Sequence, residues 1–179
     1  MRVEGKSIIV TGSGSGLGRA YALELARRGS AVVCADLKLE GAKETVARIQ
    51  EAGGTAHAVK CDVGKASQVE KLAADSEALL GHPVTLLINN AGVGMGGKFD
   101  ELSLEDWKWC MDVNLWGVIH GCHHFVPGFK KRGGGAIVNT SSVSALGTGY
   151  APSAYSVAKA GVLHLTKVAA ADLARHHIR

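Results

Sequence analysis

The chain alternates between short apolar runs rich in β-branched residues and longer segments in which apolar side chains recur with helical spacing. The short runs predict buried strands, and the longer segments predict helices packed on them. Because the runs are apolar on both faces, we expect a parallel sheet covered on each side. Five strands are predicted, at residues 7–12, 31–36, 57–63, 84–92 and 136–142.

Helical spacing and end signals predict five helices between and after these strands. The fourth is the longest: Ser103 is its predicted N-cap, and Pro127 with Gly128 is expected to end it near residue 126. Alternating strands and helices with right-handed crossovers predict one α/β domain over residues 1–179, a Rossmann-like doubly wound parallel sheet. The other helices are predicted from Leu17 to just before Gly29, at 39–52, at 65–80, and from about residue 154.

Composition excludes several classes of protein. The 179 residues are 46% hydrophobic and 20% charged, which suits a globular domain with a sizeable core. The net charge of +4 is spread along the chain and only 5% of residues are aromatic, so nucleic acid is not an expected partner. No apolar run reaches the roughly 18 residues of a membrane span, and the N-terminus lacks a signal-peptide core. We therefore expect a cytoplasmic protein with no membrane partner.

Cysteine and histidine spacing points away from disulfides and metals. The four cysteines form no CxxC pair, so we expect reduced thiols. His120 and His124 share a helix face, but no cysteine or carboxylate lies beside them at ligand spacing, so no metal site is expected. Trp107, Trp109 and Trp116 lie in the region of the long helix and could line a pocket, but two of them are expected to pack that helix against the core or a partner.

The segment VTGSGSGLGRA joins the first predicted strand to the first helix and holds four glycines in seven positions. Glycines at this place let a pyrophosphate approach the free N–H groups of a helix N-terminus. Arg19 excludes the G-x-G-x-x-G pattern, and no Walker A lysine follows. The pattern present is T-G-x-x-x-G-x-G, carried by Thr11, Gly12, Gly16 and Gly18. It predicts a nucleotide site, with a purely structural glycine turn as the alternative.

Two acidic residues end later strands. Asp36 follows the glycines at the spacing where a carboxylate binds the adenosine ribose and repels a 2′-phosphate, which favours NAD over NADP. Lys38 keeps NADP open, and a helix cap is the structural alternative for Asp36. Asp62 is a candidate for the adenine side of the pocket, or for a turn before Gly64.

Tyr155 and Lys159 lie four residues apart at the start of the fifth helix, so they share one helix face. A phenol exchanges protons poorly at neutral pH, but an ammonium about 4 Å away favours its ionised form by about 4 kcal/mol at an effective dielectric of about 20. Tyr155 could then take a proton from an alcohol or return one to a carbonyl. Ser142, at the end of the fifth strand, can hydrogen-bond the substrate oxygen. As a bare pattern, Y-x-x-x-K more often marks a solvated surface pair.

These motifs resemble the short-chain dehydrogenase/reductase family over the whole chain. The resemblance rests on TGSGSGLG, on the NNAG of residues 89–92, on DVN with Asn114, on IVNTSS with Ser142, and on YSVAK with Tyr155 and Lys159. It implies that Tyr155 is the general acid-base and that Lys159 promotes its ionisation and holds the nicotinamide ribose. It further implies that Ser142 orients the substrate and that Asn114 supports a water linking Lys159 to solvent.

The same resemblance implies a set of cofactor contacts, to which Tyr155 and Lys159 also contribute. The pyrophosphate region is assigned to Gly12, Ser15, Gly16, Leu17 and Gly18, the adenine ribose to Asp36, the adenine to Asp62 and Val63, and the adjoining ribose to Asn90, Ala91 and Gly92. Similar proteins are usually dimers or tetramers formed through the helices that carry Asn114 and Lys159, so a homodimer or homotetramer is implied.

The predicted function is an oxidoreductase that transfers a hydride between NAD(H) and a secondary alcohol or ketone. The alternatives are an NADP-linked carbonyl reductase and a nucleotide-binding sensor or scaffold without turnover. The complete set of Asn, Ser, Tyr and Lys favours an enzyme over a binding module.

The end of the sequence departs from the family. Similar proteins continue into a sixth strand, a substrate lid and a seventh strand, which these residues lack. We therefore expect a partial chain with a bare sheet edge. A protein ending at Arg179 is expected to bind nucleotide weakly and to turn over poorly.

Overall fold

The computed structural model describes residues 3–149 and 151–179 and contains one five-stranded parallel sheet. The strands are β1 (Ser7–Thr11), β2 (Ala31–Asp36), β3 (Thr55–Lys60), β4 (Val84–Asn89) and β5 (Ala136–Asn139). Their order across the sheet is β3-β2-β1-β4-β5, and every neighbouring pair is parallel. β2 and β3 are added on one side of β1, and β4 and β5 on the other, so the strand order reverses between β1 and β4. Sheets of this kind bind ligands at the carboxyl ends of the strands where the order reverses.

The sheet separates two apolar cores, because its central strands carry apolar side chains on both faces. Ile8 and Val10 of β1 point to one core and Ile9 to the other, which is the alternation expected along a strand. The first two helices cover one face, and the third and fifth cover the other. The doubly wound α/β fold is therefore confirmed. The helices are α1 (Gly16–Arg27), α2 (Leu39–Glu51), α3 (Ala66–Leu80), α4 (Leu104–Met111), α5 (Gly117–Lys131) and α6 (Ser153–Leu173).

The expected helix end at Pro127 is wrong, because α5 continues through this proline to Lys131. Phe125 and Phe129 flank the proline and are buried in the core, and their packing offsets the backbone hydrogen bond that proline cannot donate. After Lys131 the chain leaves the helix through Gly133, which has a φ of +74°. The N–H groups of Gly133 and the following residue donate to carbonyls of the last helical turn, at 3.1 and 2.9 Å, and such a left-handed stop favours glycine.

A single π-helical turn, Asp112–Trp116, joins α4 to α5 without a loop. The predicted start of this helical run is confirmed: Ser103 Oγ accepts from the Asp106 N–H at 3.1 Å, and Asp106 Oδ2 accepts from the Ser103 N–H at 3.0 Å. A π turn holds one residue more than a regular turn and often lies at a functional site. Asn114 lies at its centre.

The outer edge of β5 is partly covered, so the expectation of a bare edge is wrong for its first half. Residues 177–179 run parallel to the start of β5: the Ile137 N–H donates to the Arg179 carbonyl at 2.7 Å, and the Arg179 N–H donates to the Gly135 carbonyl at 3.1 Å. Between them, Ile178 bridges to Gly135 and is buried in the core. Val138, past the paired stretch, is half-exposed.

The four cysteines are free thiols. Burial raises the pKa of Cys34, Cys61 and Cys122 to about 11. His120 Nδ1 lies 2.8 Å from the Val63 carbonyl oxygen and so contacts the backbone of the segment after β3. Among the described residues, no helix combines the length and apolar character that crossing a bilayer requires.

Candidate functional site

The glycines after β1 let two backbone segments touch. Gly12 and Gly16 have φ values of +67° and +52°, a region that favours glycine. A Cβ on Gly12 would lie 2.7 Å from the Ala91 Cα, and a Cβ on Gly18 would strike the Gly12 carbonyl oxygen. The loop is thus packed directly on the backbone after β4. Close approach and positive φ together explain the spacing of the predicted pattern.

Side chains from the ends of β1 and β4 hold this loop in place. Thr11 Oγ1 accepts from the N–H groups of Asn90 and Ala91 at 3.0 and 3.1 Å. Asn90 Nδ2 donates to the Thr11 carbonyl at 3.0 Å. The Asn90 side chain therefore supports the loop itself, a role that the sequence did not indicate.

Arg19, the residue that breaks the G-x-G-x-x-G pattern, fastens the loop to α2. Its guanidinium donates to the Gly14 carbonyl, to Thr45 Oγ1 at 3.0 Å and to Glu44 Oε2 at 2.8 Å. The arginine side chain is mostly buried. Thr45 and Glu44 lie more than twenty positions from Arg19 in sequence, so no local pattern could have indicated the contact with α2.

The carboxylate of Asp36 lies against the glycine loop at the end of β2. Its Oδ2 accepts from the Gly14 N–H at 2.8 Å, and its Oδ1 accepts from the Lys38 N–H at 2.9 Å. Lys38 is the N-cap of α2, so Asp36 is not the cap that the structural alternative required. Asp62 Oδ1 accepts from the Gly64 N–H at 3.0 Å, so Asp62 forms the turn of its structural alternative. Both carboxylates nevertheless line the same cleft.

This cleft has a volume of about 540 Å³ and runs along the carboxyl ends of the strands. The first turn of α1 begins in it at Gly16, and the unpaired N–H groups of that turn favour an anion. The structure places eleven of the predicted cofactor residues on its walls, leaving only Tyr155 and Lys159 elsewhere. They are Gly12, Ser15, Gly16, Leu17, Gly18, Asp36, Asp62, Val63, Asn90, Ala91 and Gly92.

Tyr155 and Lys159 line an adjoining cavity of about 330 Å³. Lys159 is 2% exposed, and its Nζ donates to the Thr140 carbonyl at 2.8 Å and lies 5.6 Å from the centre of the Tyr155 ring. Burial lowers the pKa of the Lys159 ammonium, while its electrostatic interaction with Cys110 opposes that shift. The pair is therefore not the solvated surface pair of the alternative reading.

Asn114 is fully buried behind the cavity. Its Oδ1 accepts from the Val93 N–H at 3.1 Å, and its Nδ2 donates to the carbonyls of Val93 and Cys110 at 3.0 Å each. A Cβ on Gly92 would lie 2.8 Å from Asn114 Oδ1 and 3.5 Å from Lys159 Nζ. The glycine of NNAG thus lets the amide and the ammonium come together.

Ser142 follows β5 and starts a short 3₁₀ helix, Val143–Ala145, that packs on α6. Its Oγ accepts from the Ser144 N–H at 3.2 Å. Ser142 is half-buried, and of the four predicted catalytic residues only Tyr155 and Lys159 line the cavity directly. The preceding Ser141 donates its hydroxyl to the Lys159 carbonyl at 2.9 Å, which fixes α6 against this segment.

The cleft and the cavity share a wall. Leu17, Asn90, Gly92 and Val93 line both of them. An elongated ligand with an anionic centre could therefore lie in the cleft and reach Tyr155 at one end.

Trp109 is one of the three tryptophans that could line a pocket, and the structure shows it in the cleft. It lines the cleft beside Asp112 and Val113 and is 48% exposed. Trp116 is 49% exposed, so neither residue is packed into the core of the chain, and packing against a partner stays a prediction.

Comparison with known proteins gives consistent similarities. The profile of the short chain dehydrogenase family matches residues 6–179. A cyclohexanol dehydrogenase of Acinetobacter sp. (strain SE19) is 39% identical over 97% of this chain and 69% of its own. A 3beta-hydroxysteroid dehydrogenase of Eggerthella lenta is 40% identical over 99% of this chain and 68% of its own. The crystal structure of a short chain dehydrogenase/reductase from Burkholderia phymatum in complex with NAD superposes with a TM-score of 0.95 at 36% identity, covering 99% of this chain and 64% of that one.

Proposed function

This chain belongs to the short-chain dehydrogenase/reductase family of oxidoreductases, and from that premise we propose that it interconverts a secondary alcohol and its ketone with NAD(H). The observation that carries the proposal is the shared wall between the glycine-lined cleft and the cavity of Tyr155 and Lys159. A pure binding module has no use for a phenol beside a buried ammonium at the end of its nucleotide cleft.

The cleft residues fit a nicotinamide dinucleotide. Gly12 and Gly18 leave no room for side chains at the point where the loop meets the backbone after β4, and the first turn of α1 offers N–H groups to a pyrophosphate. Asp36, which lines the cleft, is assigned to the adenosine ribose, and Asp62 with Val63, which line it as well, to the adenine. Gly92 and its neighbours are assigned to the second ribose. The bound nicotinamide supplies the hydride acceptor in alcohol oxidation and the donor in ketone reduction.

Tyr155 moves the proton. In oxidation its Oη accepts the alcohol proton as the carbon–oxygen double bond forms and the hydride departs; in reduction it returns that proton to the carbonyl oxygen. The Lys159 ammonium lies 5.6 Å from the centre of the tyrosine ring and places a positive charge beside it. Ser142 donates its hydroxyl to the substrate oxygen from the end of β5. The Thr140 carbonyl holds the lysine in place, and Asn114 is proposed to support a water that links Lys159 to solvent.

The cavity favours a neutral, apolar substrate. Val93, Met95 and Pro152 contribute apolar surface, and the one charged side chain among the described lining residues is Lys159, which already donates to Thr140. A carboxylate or ammonium on the substrate would lose water here without gaining a partner. Cyclic secondary alcohols and hydroxysteroids, the substrates that the names of two relatives state, have this character.

A substrate panel tests the proposed function. We expect the purified protein to reduce NAD with cyclohexanol or a hydroxysteroid, and to oxidise NADH with the matching ketone. The formation or loss of NADH is followed by its absorbance at about 340 nm. Charged 2-hydroxy acids serve as the control and are expected to give no rate above background. A protein that binds NADH but turns over no member of the panel would instead support the sensor or scaffold.

The charge of Asp36 is expected to set the preference between the two cofactors. Asp36→Asn removes the negative charge that would face a 2′-phosphate, and its single amide oxygen can accept from only one of the Gly14 and Lys38 N–H groups that the two carboxylate oxygens bind. We expect the ratio of kcat/KM for NAD to that for NADP to fall by about 10- to 100-fold, equal to about 1.4 to 2.8 kcal/mol. Asp62→Asn, at the other carboxylate of the cleft, should leave this ratio unchanged. A wild-type preference for NADP would support the carbonyl reductase alternative.

The homodimer or homotetramer and the cytoplasmic location stay predictions. The π turn and α6 carry half-exposed apolar side chains that are compatible with a subunit contact, namely Trp116, Val157 and Val168.

A further inference from the structure

Trp109 lies on the β3 side of the cleft. It is on α4, one helical turn before Val113, and the helical run that carries both packs closely on the segment after β3. A Cβ on Gly117 would lie 2.7 Å from Val63 Cγ2, and a Cβ on Gly64 would lie 3.6 Å from the Asp112 Cβ. This is the end of the cleft farther along the sheet from β5, away from the segment that holds Lys159.

The surroundings of Trp109 fit a flat heteroaromatic ring. Leu37 and Val63 add apolar surface to the same cleft, and Leu37 is 58% exposed. Asp62 adds backbone and carboxylate groups that can meet the polar edge of a base. An indole left 48% exposed on the wall of a cleft is a large π surface that a ligand can cover.

We propose that the indole of Trp109 stacks on the adenine of the bound dinucleotide and so sets cofactor affinity. The inference rests on the proposed cofactor but not on turnover. Aromatic side chains stack on every base, because each base has a π face. Trp109 thus adds to the adenine contacts of Asp62 and Val63, while hydride and proton transfer remain with the residues around Tyr155.

The other two tryptophans provide matched controls. Trp116 has the same exposure as Trp109, but it lies beside His120, with 5.9 Å between the ring centres, and lines a different surface depression. Trp107 packs edge-on against Phe99, with 5.7 Å between ring centres. Removing either should leave the nucleotide cleft intact.

Calorimetric titration of the purified protein with NADH, AMP and nicotinamide mononucleotide tests the inference. We expect Trp109→Ala to raise the Kd for NADH and AMP about tenfold, equal to about 1.4 kcal/mol. Trp109→Phe should recover most of this affinity, because a smaller ring still stacks. The Kd for nicotinamide mononucleotide should stay within about twofold in both variants, and Trp116→Ala should leave all three values unchanged.

Fluorescence gives a readout that needs no destabilising variant. The chain has three tryptophans, so Trp107→Phe with Trp116→Phe leaves Trp109 as the sole indole. AMP is expected to quench its emission in a saturable manner, with the same Kd that calorimetry gives.

Several results would overturn the inference. They are a folded Trp109→Ala that binds NADH and AMP as tightly as the wild type, equal losses for AMP and nicotinamide mononucleotide, absence of AMP binding by the wild type, or a change in oligomer mass with nucleotide affinity unaltered. A wild type that binds AMP through Trp109 but binds neither NADH nor nicotinamide mononucleotide would contradict the proposed dehydrogenase function and still support the contact between Trp109 and adenine.

Discussion

Replacing Tyr155 by phenylalanine is expected to lower kcat for alcohol oxidation by about 10²- to 10⁴-fold, the range that a positioned acid-base group contributes. The substitution removes one oxygen and keeps the ring beside Lys159 Nζ, so the packing around the buried ammonium persists. Steady-state kinetics with saturating cofactor measure the loss. The Kd for NADH, measured by titration, should change by less than about tenfold because at most one hydrogen bond is lost.

Tyr21→Phe is the matched control for this experiment. Tyr21 lies on α1 with its side chain partly exposed, and it lines neither the cleft nor the cavity of Tyr155. It should keep wild-type kcat. Wild-type turnover by Tyr155→Phe would remove the proton-transfer role from Tyr155, and an equal loss in both variants would point to a general effect on folding.

Gly18→Ala is expected to damage both stability and nucleotide binding. The added methyl group would strike the Gly12 carbonyl oxygen and lie 2.6 Å from Asn90 Nδ2, and neither neighbour is the free end of a flexible side chain. Overpacking of this kind costs about 1 to 3 kcal/mol, and here the strain falls on the loop that we propose as the pyrophosphate site. We expect a lower midpoint in urea unfolding and a Kd for NADH raised by about tenfold or more.

Gly96→Ala separates this clash from the general effect of losing a glycine. Gly96 is exposed, and a Cβ there meets no atom within 4 Å. Its urea midpoint and cofactor affinity should match the wild type. If Gly18→Ala behaves like Gly96→Ala, the close packing of the loop on β4 does not limit nucleotide binding.

Local sequence patterns were sufficient for the three inner strands, because β1, β2 and β4 are buried along most of their length and need continuous apolar runs. The edge strand β3 is partly exposed, and its predicted range of 57–63 is displaced from the observed Thr55–Lys60. The predicted strands at 31–36 and 84–92 contain the observed β2 and β4, and the excess residues after β4 are those that leave the sheet to line the cleft. The glycine loop could also be predicted, because two backbone segments that touch require glycine at the contact, and glycine is identified directly in the sequence.

Contacts between distant segments were not readable. Pro127 carries a strong local stop signal, but the burial of Phe125 and Phe129 outweighs it, and burial is a property of the folded chain. No characteristic amino-acid composition marks a π turn such as the one around Asn114. The sequence also does not show that Trp109 lines the cleft, because it does not show which face of α4 meets the cleft.

The hydrogen bond from Lys159 to the Thr140 carbonyl limits how mutation can alter this site during evolution. The ammonium is held by the main-chain oxygen of Thr140, which every amino acid possesses. No point mutation at position 140 deletes that acceptor, so it is inherited with the path of the chain rather than with the identity of a residue. Searches for invariant positions would therefore overlook it, and grafting the four side chains predicted to be catalytic onto another scaffold would leave it behind.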